Sequence, residues 1–143
     1  MKQIFHSHSP QETEQIAAEL GKTLRGGEVI AFYGQMGAGK TCFVRGLANG
    51  MGVSGEVCSP TFALVHEYRG PITLYHFDMY RIHDMDDLYS TGFFDYLEDD
   101  RAVLAIEWSE QIEEALPQNQ IRVTIMPEDA NSRTITIEGS LAP

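Results

Sequence analysis

One segment constrains this chain more than any other: Gly34-Gln35-Met36-Gly37-Ala38-Gly39-Lys40-Thr41, which satisfies G-x-x-x-x-G-K-[ST]. An apolar run, Glu28 to Tyr33, leads into it and reads as a buried strand. A helix is predicted from Lys40 onward, turning Phe43, Val44 and Leu47 inward, with Gly50 and Gly52 stopping it. Glycines let the backbone curl so that successive N–H groups point at one anion with no Cβ in the way. The helix that follows presents its unpaired amides and the positive end of its dipole to the same place. Lys40 then serves as a mobile charge on the outer phosphates, and the Thr41 hydroxyl takes a place in a magnesium shell. At this composition the pattern arises by accident in roughly 0.003 cases per sequence, and the strand before it and helix after it lower that further. Gly34 through Thr41, with Cys42 directly behind, is therefore read as a nucleotide-phosphate site that takes ATP as substrate with Mg2+.

The rest of the chain supplies the elements such a loop needs. Ser9 is placed to cap a helix, Pro10 suits its first position, and Glu12 completes a capping box. Thr13, Ile16, Ala17, Leu20 and Leu24 follow at helical spacing until Gly26-Gly27. Phe62–Tyr68 and Ile72–Asp78 are strand-like runs joined by Arg69-Gly70-Pro71, a hairpin signature. Asp84 to Thr91 is short, acidic and helical in pattern, and Ser109 to Leu116 has room for one or two turns before Pro117. Ala102 to Ile106 is continuously apolar, as in a strand buried on both faces. Ile121–Met126 and Arg133–Glu138 alternate and are expected to pair at an edge of the sheet. The fold class expected is α/β and P-loop NTPase-like: a mainly parallel sheet flanked by helices, with an antiparallel extension. The whole chain, residues 1–143, is expected to form one domain.

Composition narrows the function. Ten basic side chains, seven of them Arg spread along the chain, face 21 acidic ones, for a net charge of −11. That balance opposes direct binding to a polyphosphate backbone, so a nucleic acid would be reached only through another protein. Met1 to Pro10 has one Lys and no apolar core, so no secretory leader is expected. No apolar run nears the length of a membrane span. Cys42 and Cys58 make no disulfide framework and are read as reduced thiols in a cytoplasmic protein.

A phosphate loop also needs a carboxylate that holds the metal shell or orients the attacking water, at the C-terminal end of a neighbouring strand. Glu107 and Asp78 both qualify, and spacing alone does not rank them. Ser59-Pro60-Thr61 is a candidate switch segment, with Thr61 sensing the terminal phosphate. Trp108, the sole tryptophan, is either core or a partner anchor. The five histidines show no ligand spacing, and core or surface roles are expected of all of them. No guanine-reading N-K-x-D segment exists, so adenine nucleotides are expected. No Arg-rich lid is evident, which weighs against a free-standing small-molecule kinase.

Together, Glu12-Thr13, the loop with Tyr33 before it, Ser59-Pro60-Thr61-Phe62, Tyr75-His76-Phe77-Asp78-Met79-Tyr80-Arg81 and Ile106-Glu107-Trp108-Ser109-Glu110 resemble the TsaE (YjeE) family of bacterial tRNA threonylcarbamoyladenosine synthesis. Cys42 stands where that family usually has Thr, and Gln35-Met36 replaces Asp-Leu; both departures leave a grip made mainly by backbone. The resemblance implies a weak ATPase acting as an accessory factor with TsaB and TsaD, where TsaD transfers threonylcarbamoyl to adenosine 37 of tRNAs reading ANN codons. It implies that tRNA is met only through that complex. It further implies Thr41 and Glu107 as the magnesium residues, Asp78 as a second acid needed for hydrolysis, and Thr13 as a nucleotide contact, so that Asp78, Glu107 and the loop's Lys40 form the expected catalytic set. Ser59, Pro60, Thr61 and Trp108 are then the switch or partner-facing residues.

Overall fold

Eight strands form one sheet in the order β1-β8-β7-β2-β6-β5-β4-β3. The computed structural model describes residues 2–34, 39–59 and 64–139, and for 54–59, 64 and 111 the backbone alone. Along the chain come β1 (Lys2–Ser7), α1 (Pro10–Gly21), β2 (Val29–Gly34), α2 (Lys40–Met51), β3 (Ser54–Ser59), β4 (Leu64–Arg69) and β5 (Thr73–Asp78). They are followed by α3 (Met85–Ser90), α4 (Phe93–Leu97), β6 (Ala102–Glu107), a 3₁₀ helix (Ser109–Ala115), β7 (Ile121–Pro127) and β8 (Arg133–Gly139). The pairings β7–β2, β2–β6 and β6–β5 are parallel, and the two outer strands on each side run antiparallel. The sheet is thus parallel at its centre and extended antiparallel on both flanks. No helix among the described residues is long and apolar enough to cross a membrane.

Period-two alternation sorts the central strands onto two cores. Ile30 and Phe32 of β2, Val103 and Ala105 of β6, and Leu74 of β5 pack with Phe43, Val44 and Leu47 of α2 and Ala17 of α1. The intervening residues Val29, Ala31, Leu104, Ile106 and Phe77 pack on the opposite face with Leu88, Phe93 and Ile112. All of Ala102–Ile106 is buried, as a strand covered on both faces requires. Since β6 alternates, Glu107 falls on the same face as Val103 and Ala105, toward α1 and α2. Asp78 and His76 reach that face from β5 by the same rule, in step with Leu74.

Several expectations need correction. The β7–β8 pair is not at an edge: β7 lies in the sheet's interior against β2, and β1, absent from the sequence reading, covers β8. The strand β3 and the short α4 were not anticipated either. Helix α1 starts as expected, with Ser9 Oγ accepting from the Glu12 N–H at 3.1 Å. The Glu12 carboxylate, however, reaches the backbone N–H of His8 rather than that of Ser9. The helix closes at Gly21, and Leu24 is buried from the turn beyond it. Glu28 precedes β2, and its carboxylate takes the N–H groups of Arg25 and Gly26 at 2.9 and 2.7 Å, which organises that turn.

Gly50 does not stop α2. The stop is Gly52, in the left-handed region at φ 71°, while Gly50 lies inside the helix at its crossing with α1. A Cβ there would meet the Ala18 carbonyl oxygen at 2.1 Å, and one on Gly46 would meet the Glu14 carbonyl at 2.3 Å. Both glycines let two helix backbones touch, and the obstacles are main chain that cannot rotate aside. Gly50→Ala is therefore expected to destabilise the fold by about 1–3 kcal/mol through overpacking, although alanine favours helix by about 1 kcal/mol. Urea unfolding followed by circular dichroism measures this; a Gly50→Ala chain as stable as the parent would remove the close-crossing argument.

Candidate functional site

The site lies at the C-terminal ends of β2, β5 and β6, the end at which open α/β sheets bind ligands. Strand β2 ends at Gly34 and α2 begins after Gly39, both glycines having positive φ, 115° and 101°. At Gly34 a Cβ would strike the Ile125 carbonyl at 2.4 Å, whereas nothing lies within 4 Å of one on Gly39. Gly34 is thus demanded by the neighbouring strand, and Gly39 by its backbone angle. Gln35, Met36, Gly37 and Ala38, assigned to the same phosphate loop, lie outside the described residues, as do Pro60 and Thr61. Ser59 is the last residue of β3, its backbone paired with that of Val65.

Lys40 is buried at the first turn of α2. Its ammonium donates to the Gly34 carbonyl at 3.3 Å and stands 5.7 Å from the centre of the Trp108 ring. Among the described residues, then, one carbonyl and one π face meet this ammonium, which leaves it capacity for an anion. Trp108 is the one non-glycine residue at positive φ among those described, at 60°. That conformation costs about 1–2 kcal/mol. The indole lies near both Lys40 and Tyr80, its ring centre 5.0 Å from that of Tyr80. Tyr80 is itself exposed.

Thr41, Asp78 and Glu107 line one cavity of about 380 Å³, together with Arg45, His66, Tyr68 and His76. Asp78 and Glu107 are register partners across β5 and β6, so neither acid ranks above the other by position. The Asp78 carboxylate accepts from the Tyr80 N–H at 3.0 Å, and that of Glu107 from His76 Nε2 at 2.6 Å. Arg45, one turn beyond Thr41, is paired with Glu14 at 3.3 Å. Among the described residues no cluster of three or more His, Cys, Asp or Glu side chains holds a metal unaided. The set present is a hydroxyl and two carboxylates, all hard oxygens. It fits Mg2+, which takes one or two carboxylates and completes its shell with water and phosphate oxygens.

A second cavity, of about 280 Å³, lies on the α1 side of the α2 N-terminus, lined by His8, Ser9, Pro10, Thr13, Gly39, Cys42, Ala130, Asn131 and Arg133. Thr13 is buried, and its hydroxyl lies 2.7 Å from Ser7 Oγ. Ser7 gives its single proton to the Ser9 carbonyl at 2.8 Å. Thr13 is therefore the donor to Ser7, and what its oxygen has left to offer is acceptor capacity. The Cys42 thiol donates to the Pro10 carbonyl at 3.1 Å and is not in a disulfide. Burial first, then the Glu14 carboxylate, pushes its pKa up.

The structure thus gathers Lys40, Thr41, Asp78, Glu107 and Trp108 around the α2 N-terminus, and sets Thr13 and Cys42 on its other side. His76 is buried, as a core role requires, and it is also hydrogen-bonded to Glu107. Its signal was in the sequence, two residues before Asp78 and so on the same strand face. Arg45 was similarly readable, four residues after Thr41 on one helix. Asn131 and Arg133 had no such signal, since only the β7–β8 turn brings them near α1.

Comparison with known proteins bears on the family and the fold. The family pattern "Threonylcarbamoyl adenosine biosynthesis protein TsaE" matches residues 7–135. A protein of Treponema pallidum named "tRNA threonylcarbamoyladenosine biosynthesis protein TsaE" is 37% identical over 131 residues, covering 92% of this chain and 96% of its own. Bacillus subtilis has one of the same name, 37% identical over 138 residues, with 95% and 85% covered. The crystal structure of Bacillus subtilis YdiB has a TM-score of 0.76 at 30% identity, covering 97% of this chain and 86% of that one. A shared fold, a pattern matched across nearly the whole chain and relatives alike along most of their lengths lead to one conclusion: the chain belongs to the TsaE family.

Proposed function

We propose that this protein binds ATP with Mg2+ and hydrolyses it weakly alone. In this reading it is an accessory ATPase for threonylcarbamoylation of adenosine 37 in tRNAs reading ANN codons. It works in the cytoplasm with TsaB and TsaD, and TsaD rather than this chain carries out the transfer. The observation that carries the reading is the meeting of Thr41, Asp78 and Glu107 in one cavity at the N-terminus of α2, with Lys40 beside it. Family membership supports the role in tRNA modification, and the net charge of −11 supports reaching tRNA only through partners.

In this mechanism the loop amides and the α2 dipole hold the phosphates, and Lys40 exchanges the Gly34 carbonyl for phosphate oxygens. Thr41 and Glu107 are the residues that would hold Mg2+, which when bound screens the charge developing on the transferred phosphoryl group. Asp78, fixed by the Tyr80 N–H, is placed to orient the attacking water. The cavity at Thr13 takes the nucleoside. The acceptor left on Thr13 suits the 6-amino group of adenine, where guanine presents another acceptor. Trp108 and exposed Tyr80 are the partner-facing reporters of the nucleotide state.

Lys40→Ala is expected to abolish tight ATP binding in a folded chain, measured by calorimetry and circular dichroism; unchanged affinity would remove the phosphate-loop assignment. Asp78→Ala or Glu107→Ala is expected to lower hydrolysis more than tenfold, about 1.4 kcal/mol or more of barrier, with a milder effect on binding. Wild-type hydrolysis by both variants in the presence of partners would refute the two-acid site.

The raised Cys42 pKa leaves little thiolate at neutral pH, so alkylation by iodoacetamide should be slow at pH 7 and quicken as pH climbs toward and past the usual thiol range. ATP or ADP should slow it further, and Cys42→Ser should identify the labelled site by mass spectrometry. Nucleotide that binds but leaves the Cys42 rate unchanged would exclude the second cavity as the nucleoside pocket.

Phosphate release should be slow for the chain alone and should rise when TsaB and TsaD are both added. If the rate ignores the partners, and tRNA modification continues past one turnover without this protein, a free-standing small-molecule kinase becomes the better reading.

A further inference from the structure

Asp78 and Glu107 end adjacent strands in register, but they are fixed in different ways. Asp78 has a short side chain, and the Tyr80 backbone N–H, two residues on, holds one of its oxygens. Glu107 has one more rotatable bond, and the hydrogen bond observed on its carboxylate comes from a side chain, His76 Nε2, at 2.6 Å. A carboxylate only accepts, so Nε2 carries the proton. At 9% and 16% side-chain exposure the pair is largely shielded from competing water, so the bond persists.

The ladder explains how the imidazole comes to be there. His76 pairs with Ala105 of β6, and Asp78 with Glu107, so His76 sits one same-face step inside the two acids. The small side chain of Ala105 leaves space beside it, and the ring reaches across to the Glu107 carboxylate. On the other side His76 pairs with His66 of β4, whose ring meets it edge-on with centres 5.6 Å apart. The imidazole is thus held from both neighbouring strands, and its proton is aimed at one oxygen of Glu107.

We propose that His76 is a positioning residue of the hydrolytic site: it holds one oxygen of Glu107 so that the other faces the cavity shared with Thr41 and Asp78. The proposal rests on the Mg–ATP reading above. Because Nε2 is committed to Glu107, the role assigned to His76 is exerted through that acid. Partners of this kind to metal-binding carboxylates typically contribute about 10–100-fold in metal affinity or activity.

Three variants of the full chain separate this from a merely structural role. His76→Phe keeps a ring against His66 without the donor. His76→Asn is polar but too short to reach. His76→Gln carries a donor close to where Nε2 stands. Thermal melts by circular dichroism establish which variants fold, and the Asn and Gln pair suffices if the Phe variant does not. Mn2+, followed by electron paramagnetic resonance at saturating ADP, is the metal probe; ADP affinity in EDTA is the control. His76→Phe and His76→Asn should weaken Mn2+ binding by about 10–100-fold while leaving ADP affinity in EDTA as in the parent, and His76→Gln should restore most of the metal affinity. Parental Mn2+ affinity in a folded Phe or Asn variant would overturn the proposal, as would a Gln variant as defective as Asn. Failure of the underlying reading would show separately, as absence of ADP binding by the parent chain, and would take this proposal with it.

Discussion

Two carboxylates held side by side at the ends of adjacent strands are what the rest of this structure must accommodate. Neighbouring strands lie about 4.8 Å apart, and Asp78 and Glu107 are direct partners on one face of β5 and β6. Left to themselves, like charges so placed repel, and the sheet supplies no cation between them. What it supplies are donors: a backbone N–H for Asp78 and an imidazole for Glu107. The remaining valences of both acids open into a cavity that also receives the Thr41 hydroxyl. In the reading proposed here, Mg2+ would complete that set. That ties the metal chemistry proposed here to the register of β5 against β6 rather than to any single side chain.

That register is useful only if α2 arrives at the right height, and here the small residues of the helix pair matter. Gly46 and Gly50 let α2 lie against Glu14, Ala17 and Ala18 of α1 at backbone contact, while Phe43 and Leu47 drive its other side into the sheet. Phe43 meets Phe32 of β2 edge-on, with centres 5.6 Å apart, so the strand entering the loop and the helix leaving it share one packing contact. Core packing of this density has no slack. The N-terminus of α2, with Lys40 and Thr41, is thereby fixed relative to the ends of β5 and β6. Phosphate chemistry on such sites depends almost wholly on position and charge, which makes the glycine crossing part of the site although none of it touches a ligand.

Local signals were legible and long-range ones were not. The strand and helix that flank the loop, the Ser9 cap, the Arg69-Gly70-Pro71 hairpin and the fully apolar β6 each announce themselves within a few residues, and each stands where it was expected. Strand β1 did not: Lys2-Gln3-Ile4-Phe5-His6-Ser7 is mostly polar, exposed along much of its length, and a strand only because β8 offers it a ladder. The interior position of β7 was hidden for a related reason. Its alternating pattern resembles an edge strand, because polar Arg122 and Thr124 take places where one face is only partly covered. Gly50 read as a stop because a sequence shows where a glycine is, not which backbone lies against it. His76 was legible only in part. Its spacing from Asp78 was visible, but the partner that gives it meaning, Glu107, is 31 residues away.

The charge of the molecule acts on two length scales, and they point to different ligands. At physiological salt the screening length is about 8 Å, so a phosphate chain in the site proposed here would feel Lys40 and the α2 dipole far more than the acids spread over distant surface. A net charge of −11 is therefore no obstacle to a small anion that enters beside Lys40 and the N-terminus of α2. A polynucleotide is different, because its phosphates are strung over many screening lengths and must be met one by one by surface cations. The ten basic residues here are scattered, and several are already paired: Lys2 with Glu138, Lys22 with Glu19, Arg45 with Glu14 and Arg122 with Glu113. Each such pair would have to open before its cation could serve an RNA backbone. The charge distribution thus supports the division of labour proposed here, in which partners carry the nucleic acid.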